Sequence, residues 1–182
     1  MDENKKLILH ICCAPDATVP GEELLKEGYR TIGFFYGSNI HPEEEFIKRA
    51  DAVRSLCRIK GMDCNIMGYD PQTWISLTEG FASEPEGGKR CPLCFELQLG
   101  AAARYAVKIE AGCLTTTLTI SPHKDPQVIN KIGEKVASEH GLQWIHRIWR
   151  KNDGFRRSVE ESRSLGLYRQ DYCGCIYSIR NR

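Results

Sequence analysis

Long hydrophobic runs are missing from this chain. The apolar stretch in its opening, "MDENKKLILHICC", is too short to cross a bilayer, and it has neither a basic leading region nor a small-residue cleavage site. A membrane partner and a secretory leader are therefore not expected, and a cytoplasmic protein is. Internal repeats and low-complexity tracts are also absent. Charge of one sign is lacking as well: 25 Lys and Arg meet 24 Asp and Glu, for a formal net charge of +1. That balance hides an asymmetry, because residues 147–182 carry nine basic against four acidic residues and leave about −4 on the rest. The basic C-terminal segment, about 147–182, is suited to steering a polyanion such as RNA, although a solvated basic face is the commoner meaning of such an excess.

With 182 residues, 41% of them hydrophobic, the chain can bury one core, and a single domain over 1–182 is expected. Nine cysteines are many for a reducing compartment, where disulfide scaffolds are not the default and metal or redox work is. Cys57, Cys64 and Cys113 sit alone in patterned segments and read as small buried apolar residues. Cys12 with Cys13, Cys91 with Cys94, and Cys173 with Cys175 form three close pairs that need another explanation.

"KLILHICC" predicts a buried strand, "GEELLKEGY" a helix closed by Gly28, and "TIGFFYG" a second strand. "HPEEEFIKRADAVRSLCRIKG" predicts a helix with Pro42 at its first position, acids in its first turn and Gly61 as its stop. "CNIMGY" predicts a third strand. After the loop "SEPEGGKR", a helix is expected from about Pro92, with Cys91 at its entrance. "CLTTTL", "DPQVINKIGEKVASEHG" and "LQWIHRIW" then predict strand, helix and strand, and "SVEESRSLG" an amphipathic helix with Val159 and Leu165 inward. Such alternation implies an α/β fold: a parallel sheet with helices on its faces and ligands beyond the strands' carboxyl ends. Cys12 and Cys13, Asn39, and the stretch Ser121 to Asp125 all follow predicted strands.

The C-x-x-C of "RCPLC" alone fits a zinc half-site, a cluster half-site or a redox dithiol. Joined with Cys12 and Cys13 it gives four thiolates at one crevice. Two adjacent cysteines do not easily reach two tetrahedral positions of one zinc ion, whereas diverging thiolates can serve separate irons, particularly if Ala14-Pro15 breaks the strand and turns the chain. A 4Fe-4S cluster is thus favoured over zinc. The C-x-C of "YCGC" fits a reducible disulfide or a metal site, against packed thiols in a C-terminal strand. Asp16 reads equally as a site carboxylate, able to give a proton or hold a second metal, and as a helix cap. Lys124 suits a phosphate, and His123 a proton or a ribose contact; Ser121 could merely start a turn and Asp125 open a helix. His10 reads as a satisfied core residue or one behind a ligand. "GFRRSVEESRSLGLYRQDYCGC" interleaves arginines and tyrosines as single-stranded RNA binders do, with Arg169 and Gln170, beside the dithiol, the first candidates.

In order along the chain, "HICCAPD", "NIHPEEEFIKR", "KRCPLCFELQL", "TTTLTISPHKD" and "GLYRQDYCGC" resemble the QueH family of epoxyqueuosine reductases over nearly the whole length. Phe46 departs from the family's usual tyrosine. The resemblance implies a Rossmann-like fold of the PP-loop ATPase kind, with "CCAPD" in place of a Gly-rich nucleotide loop and hence no ATP hydrolysis. It implies reduction of the epoxide of epoxyqueuosine, at the wobble position of tRNA, to queuosine, with iron and sulfur and without cobalamin. By matched position, Cys12, Cys13, Cys91 and Cys94 would hold a 4Fe-4S cluster. Asp16, Cys173 and Cys175 would form a facing catalytic site, redox or a second, mononuclear iron. From the residues themselves, Ser121, His123, Lys124, Arg169 and Gln170 are the substrate-binding candidates, and an unidentified electron donor is required. Two rivals are a zinc-stapled tRNA-binding or tRNA-modifying domain without redox chemistry and a metal-free thiol-disulfide oxidoreductase.

Overall fold

A computed structural model describes residues 5–179; Arg180 and Arg182 of the basic segment lie outside them. Five strands, β1 (Lys6–Ile11), β2 (Arg30–Phe35), β3 (Asp63–Ile66), β4 (Cys113–Thr116) and β5 (Gln143–Trp144), form one sheet in the order β3-β2-β1-β4-β5. All four pairings are parallel. The helices are α1 (Ala14–Lys26), α2 (Glu43–Lys60), α3 (Pro71–Thr78), α4 (Arg90–Lys108), α5 (Pro126–Glu139) and α6 (Gly154–Ser164). No helix among the described residues is long and apolar enough to cross a membrane.

Strand alternation divides the core. Leu7, Leu9 and Ile11 pack with Ala17 and Leu24 of α1 and Val53 and Leu56 of α2, while Ile8 packs on the other face with Leu99 and Ala102 of α4. The strand order reverses between β1 and β4. At such a switch point the loops leaving the two carboxyl ends diverge and open a crevice. Cys12 and Cys13 leave β1 there, and the segment from Thr117 to Lys124 leaves β4.

Several elements differ from the sequence expectation. α1 begins at Ala14, so Ala14 is helical and the extended residue is Cys13 (φ −163°, ψ 160°). Pro15 opens this helix, because an N–H in the first turn has no intrahelical partner to lose. Pro20 and Gly21 lie inside it, where burial of Ala14, Ala17, Thr18 and Val19 overrides their poor propensity. Pro42 precedes α2 in extended geometry instead of starting it. The last two strands are shorter than expected. Thr117 turns its N–H to the His10 carbonyl at 2.9 Å and a 3-10 turn follows at Leu118–Ile120. The β4/β5 backbone ladder ends with the bond from the Ile145 N–H to Leu114 O, after which side chains take over, Thr115 Oγ1 donating to Ile145 O at 2.8 Å. In α6 the inward face is made of Gly154, Ser158 and Ser162, with Val159 only partly buried, because the helix lies close on α1 and Ser158 donates to Pro15 O at 3.0 Å.

Candidate metal centre and cleft

Cys12 follows β1 and Cys13 is the N-cap of α1, so Asp16 falls in the first turn and is not its cap. One ligand atom from each of Cys12, Cys13 and Asp16 lies within 4.8 Å of the others. The Cys12 thiol is 3.3 Å from Asp16 Oδ2. Thr117 ties this corner to the end of β4: its hydroxyl accepts from the Cys12 N–H at 3.1 Å and donates to Cys12 Sγ at 3.3 Å. The hydrogen bond with Cys13, then burial, then the nearby Cys13 and Asp16 charges push the Cys12 thiol well up, and Lys124 opposes them.

Cys91 and Cys94 come from α4, which begins at Arg90, so Cys91 sits in its first turn instead of at its entrance. The loop before it is fixed by Arg90, whose Nη1 donates to Phe81 O at 2.9 Å and Glu84 O at 2.6 Å while its guanidinium lies over the Tyr177 ring. Cys91 Sγ accepts the Gly87 N–H at 3.2 Å. Cys94 Sγ accepts two donors, Trp74 Nε1 at 3.3 Å and Gln98 Nε2 at 3.1 Å. Burial first and the Cys173 charge second push the Cys94 thiol up to about 12, against these two donors. Neither Cys91 nor Cys94 belongs to the tight group of Cys12, Cys13 and Asp16. Cys12, Cys13 and Asp16 are close enough to share one metal ion, and Cys91 and Cys94 add thiols outside that group. Donors aimed at Cys12, Cys91 and Cys94 also suit thiolates that remain charged, so the donor set fits an iron-sulfur centre.

A cleft of about 1140 Å³ opens over this corner, lined among others by Cys12, Asp16, Lys124, Gln170 and Cys173. Burial alone would depress Lys124, but Cys173, Cys12, Asp16 and Cys13 around it outweigh that and hold it above the usual lysine range. Its loop is clamped by Arg150, whose Nη1 donates to Ser121 O at 3.2 Å and Lys124 O at 3.0 Å. Ser121 and His123 line the same cleft, and the Ser121 hydroxyl accepts the His123 N–H at 3.3 Å. Asp125 caps α5, accepting the Gln127 N–H at 2.8 Å. His10 is fully buried, with Nδ1 2.8 Å from Thr116 Oγ1, and desolvation lowers its pKa to about 3.

Cys173 and Cys175 lie in an irregular segment before a 3-10 turn (Ile176–Ser178) and not in a strand. The segment is shaped from α2. Arg49, 2% exposed, pairs through Nε with Glu45 at 2.7 Å and donates to Cys173 O at 2.9 Å and Tyr172 O at 3.0 Å. The Tyr168 hydroxyl donates to Glu45 Oε2 at 2.7 Å, and the His41 N–H donates to Gly174 O at 2.8 Å. Gly174 has φ +109°, and a Cβ there would stand 3.0 Å from Arg49 Nη1, so this position requires glycine. Cys173 lines the cleft, whereas Cys175 is buried and packs towards α4. Arg169 lines the cleft and donates to Ser162 Oγ at 2.6 Å; Gln170 Oε1 is buried there with no hydrogen-bond partner among the described residues.

Several contributions had no assignment from the sequence, Thr117, Arg90 and Arg150 among them. Gln98 was the most legible, standing one helical turn after Cys94. Arg49 with Glu45 lay in a quoted motif that gave no hint of its distant partner. Trp74 and Phe155, the latter an exposed aromatic at the cleft, carried no local signal.

The sequence profile of the family described as "Epoxyqueuosine reductase QueH" matches residues 7–181. Curated proteins named Epoxyqueuosine reductase QueH are similar over nearly the whole chain. That of Acinetobacter baylyi is 37% identical over 184 residues, covering 99% of this chain and 83% of its own. That of Haemophilus influenzae is 36% identical over 182 residues, with 99% and 74% covered, and that of Streptococcus pyogenes serotype M1 is 35% identical over 180, with 96% and 70% covered. Among solved structures, the U34-tRNA thiolase NcsA from Methanococcus maripaludis with its [4Fe-4S] cluster superposes with a TM-score of 0.62 at 16% identity. The match covers 97% of this chain and 61% of that one, and it shows that the two share a fold.

Proposed function

The chain belongs to the epoxyqueuosine reductase QueH family, and on that premise we propose that it reduces the epoxide of epoxyqueuosine to queuosine in tRNA, within the cleft at the β1/β4 switch point. It is an oxidoreductase, and its reaction requires no cobalamin. Two electrons and two protons enter, both carbon–oxygen bonds of the epoxide break, a carbon–carbon double bond forms, and the oxygen leaves as water. The observation that carries this reading is the convergence of Cys12, Asp16, Lys124 and Cys173 on one cleft.

Cys12, Cys13, Cys91 and Cys94 are the residues that would hold a 4Fe-4S cluster; of the set expected for a second, mononuclear iron, Asp16 and Cys173 line the cleft, whereas Cys175 is buried behind it. Such a centre supplies electrons one at a time and Lewis acidity towards oxygen. Lys124 lies within the influence of Cys173, Cys12, Asp16 and Cys13, and it is assigned to the epoxide oxygen as that oxygen gains negative charge. Gln170 Oε1, buried and without a partner among the described residues, offers an acceptor to a polar hydrogen of the nucleoside. Arg169 and the Phe155 ring at the cleft suit phosphate and an unstacked base of the anticodon loop. Ser121 and His123 complete that wall. The partner is therefore tRNA, together with an electron donor of unspecified kind, in the cytoplasm.

Anaerobic purification with iron, zinc and sulfide analysis, followed by assay on epoxyqueuosine-containing tRNA, tests the reading. The expected result is a brown protein holding iron and sulfide that converts the tRNA, and a Cys91→Ser variant that loses both colour and activity. A colourless protein holding zinc and no iron would replace this reading with the zinc-stapled tRNA-binding one.

A further inference from the structure

The sulfurs assigned to the cluster are not equally served by donors. Cys12 Sγ has the Thr117 hydroxyl and Cys91 Sγ the Gly87 N–H. Cys94 Sγ alone among them receives two side-chain N–H groups, from Trp74 at 3.3 Å and Gln98 at 3.1 Å. Both donors are buried, Trp74 in the core and Gln98 at the wall of the cleft. Trp74 is fully buried, its ring 5.3 Å from His41 and 6.0 Å from Tyr177, and Gln98 is 4% exposed one turn along α4 from the cysteine. An indole N–H can only donate, and a neutral thiol is a weak acceptor, so two buried N–H groups on one sulfur are best matched by a sulfur that carries charge.

Hydrogen bonds to the sulfurs are one of the levers that set an iron-sulfur potential, alongside net charge and solvent exposure. Burial makes an added electron costly, since the charge is far from water, and N–H dipoles aimed at the sulfur offset that cost most in the reduced, more negative state. We propose that Trp74 and Gln98 are positioning residues that raise the reduction potential of the centre through Cys94 Sγ, so that a weaker reductant can load it. This rests on the cluster reading above. The step concerned is the entry of one electron, with no bond made or broken and with the external donor as the species oxidised. α3 thereby acquires a function: it carries Trp74 to the back of the cluster site, on the side away from the solvent.

The test uses anaerobically reconstituted holoprotein and the variants Trp74→Phe, which keeps a ring and removes the N–H, and Gln98→Leu. Iron and sulfide content is measured first, then the midpoint potential by dye-mediated titration with dithionite. Each variant is expected to hold wild-type iron and to titrate at a more negative potential, the double variant further still. Wild-type iron with an unmoved potential in both variants overturns the proposal. If Trp74→Phe fails to load, Gln98→Leu decides. If neither loads, wild-type protein prepared in D2O decides by resonance Raman, where Fe–S stretches displaced from their H2O positions support N–H donation to sulfur and unmoved ones overturn it. A wild-type protein that takes up no iron removes the cluster reading itself, a result distinct from any of these.

Discussion

At the scale of single residues, the cleft separates holding from reacting. Lys124 touches the corner through charge: four acidic or thiol groups keep it protonated although burial works against it. Lys124→Met should therefore lower turnover by about 10²-fold or more, by analogy with loss of one oxyanion donor, while iron content is unchanged. Single-turnover assays beside iron analysis measure both. Cys173 lines the cleft and Cys175 does not, so the two thiols of the C-x-C are not equivalent. Cys173→Ser should retain the cluster absorbance and lose turnover; normal turnover in that variant would remove Cys173 from the chemistry.

At the scale of elements, α2 is the frame for the C-x-C segment. Arg49 is buried, satisfied by Glu45 and by two carbonyls of that segment, and Glu45 also accepts from Tyr168. Arg49→Met would leave the Glu45 carboxylate buried without its ion and Cys173 O without its donor. A loss of about 3–5 kcal/mol is expected, read in denaturant titration, because breaking one half of a buried pair costs more than the pair contributes. The clamp of Arg150 on the Ser121–Lys124 loop is the same device on the other wall of the cleft.

At the scale of the molecule, the basic segment is not one uniform RNA surface. Arg156 pairs with Asp153 at 3.0 Å and Glu160 at 3.3 Å, Arg157 with Glu23 at 2.9 Å, and Arg150 is spent on backbone carbonyls. Arg169 stands in the cleft and donates to the Ser162 hydroxyl, with no ion pair among the described residues. Arg169→Glu should weaken tRNA binding and reduce the slope of log affinity against log salt by about 1, whereas Arg156→Glu should change neither appreciably. Equal slopes for Arg169→Glu and wild type would move the docking face elsewhere.

The sequence by itself determined the parallel α/β fold, the placing of Cys12, Cys13 and the Ser121 to Asp125 stretch beyond strand ends, and the burial of Cys57 and Cys113. These follow from hydrophobic periodicity and from cysteine spacing, which are local and can be read along the chain. It misjudged Ala14-Pro15 as a turn and quoted the first helix only from Gly21, because a proline in the first turn gives up nothing and buried packing carries the helix through Pro20. It was silent on Trp74, and on Arg49 as the support of Cys173, since those contacts join segments 20 and 124 residues apart. Only the tertiary structure decided them: a hydrogen bond between distant segments depends on the sheet order that brings them together, and no local pattern encodes that.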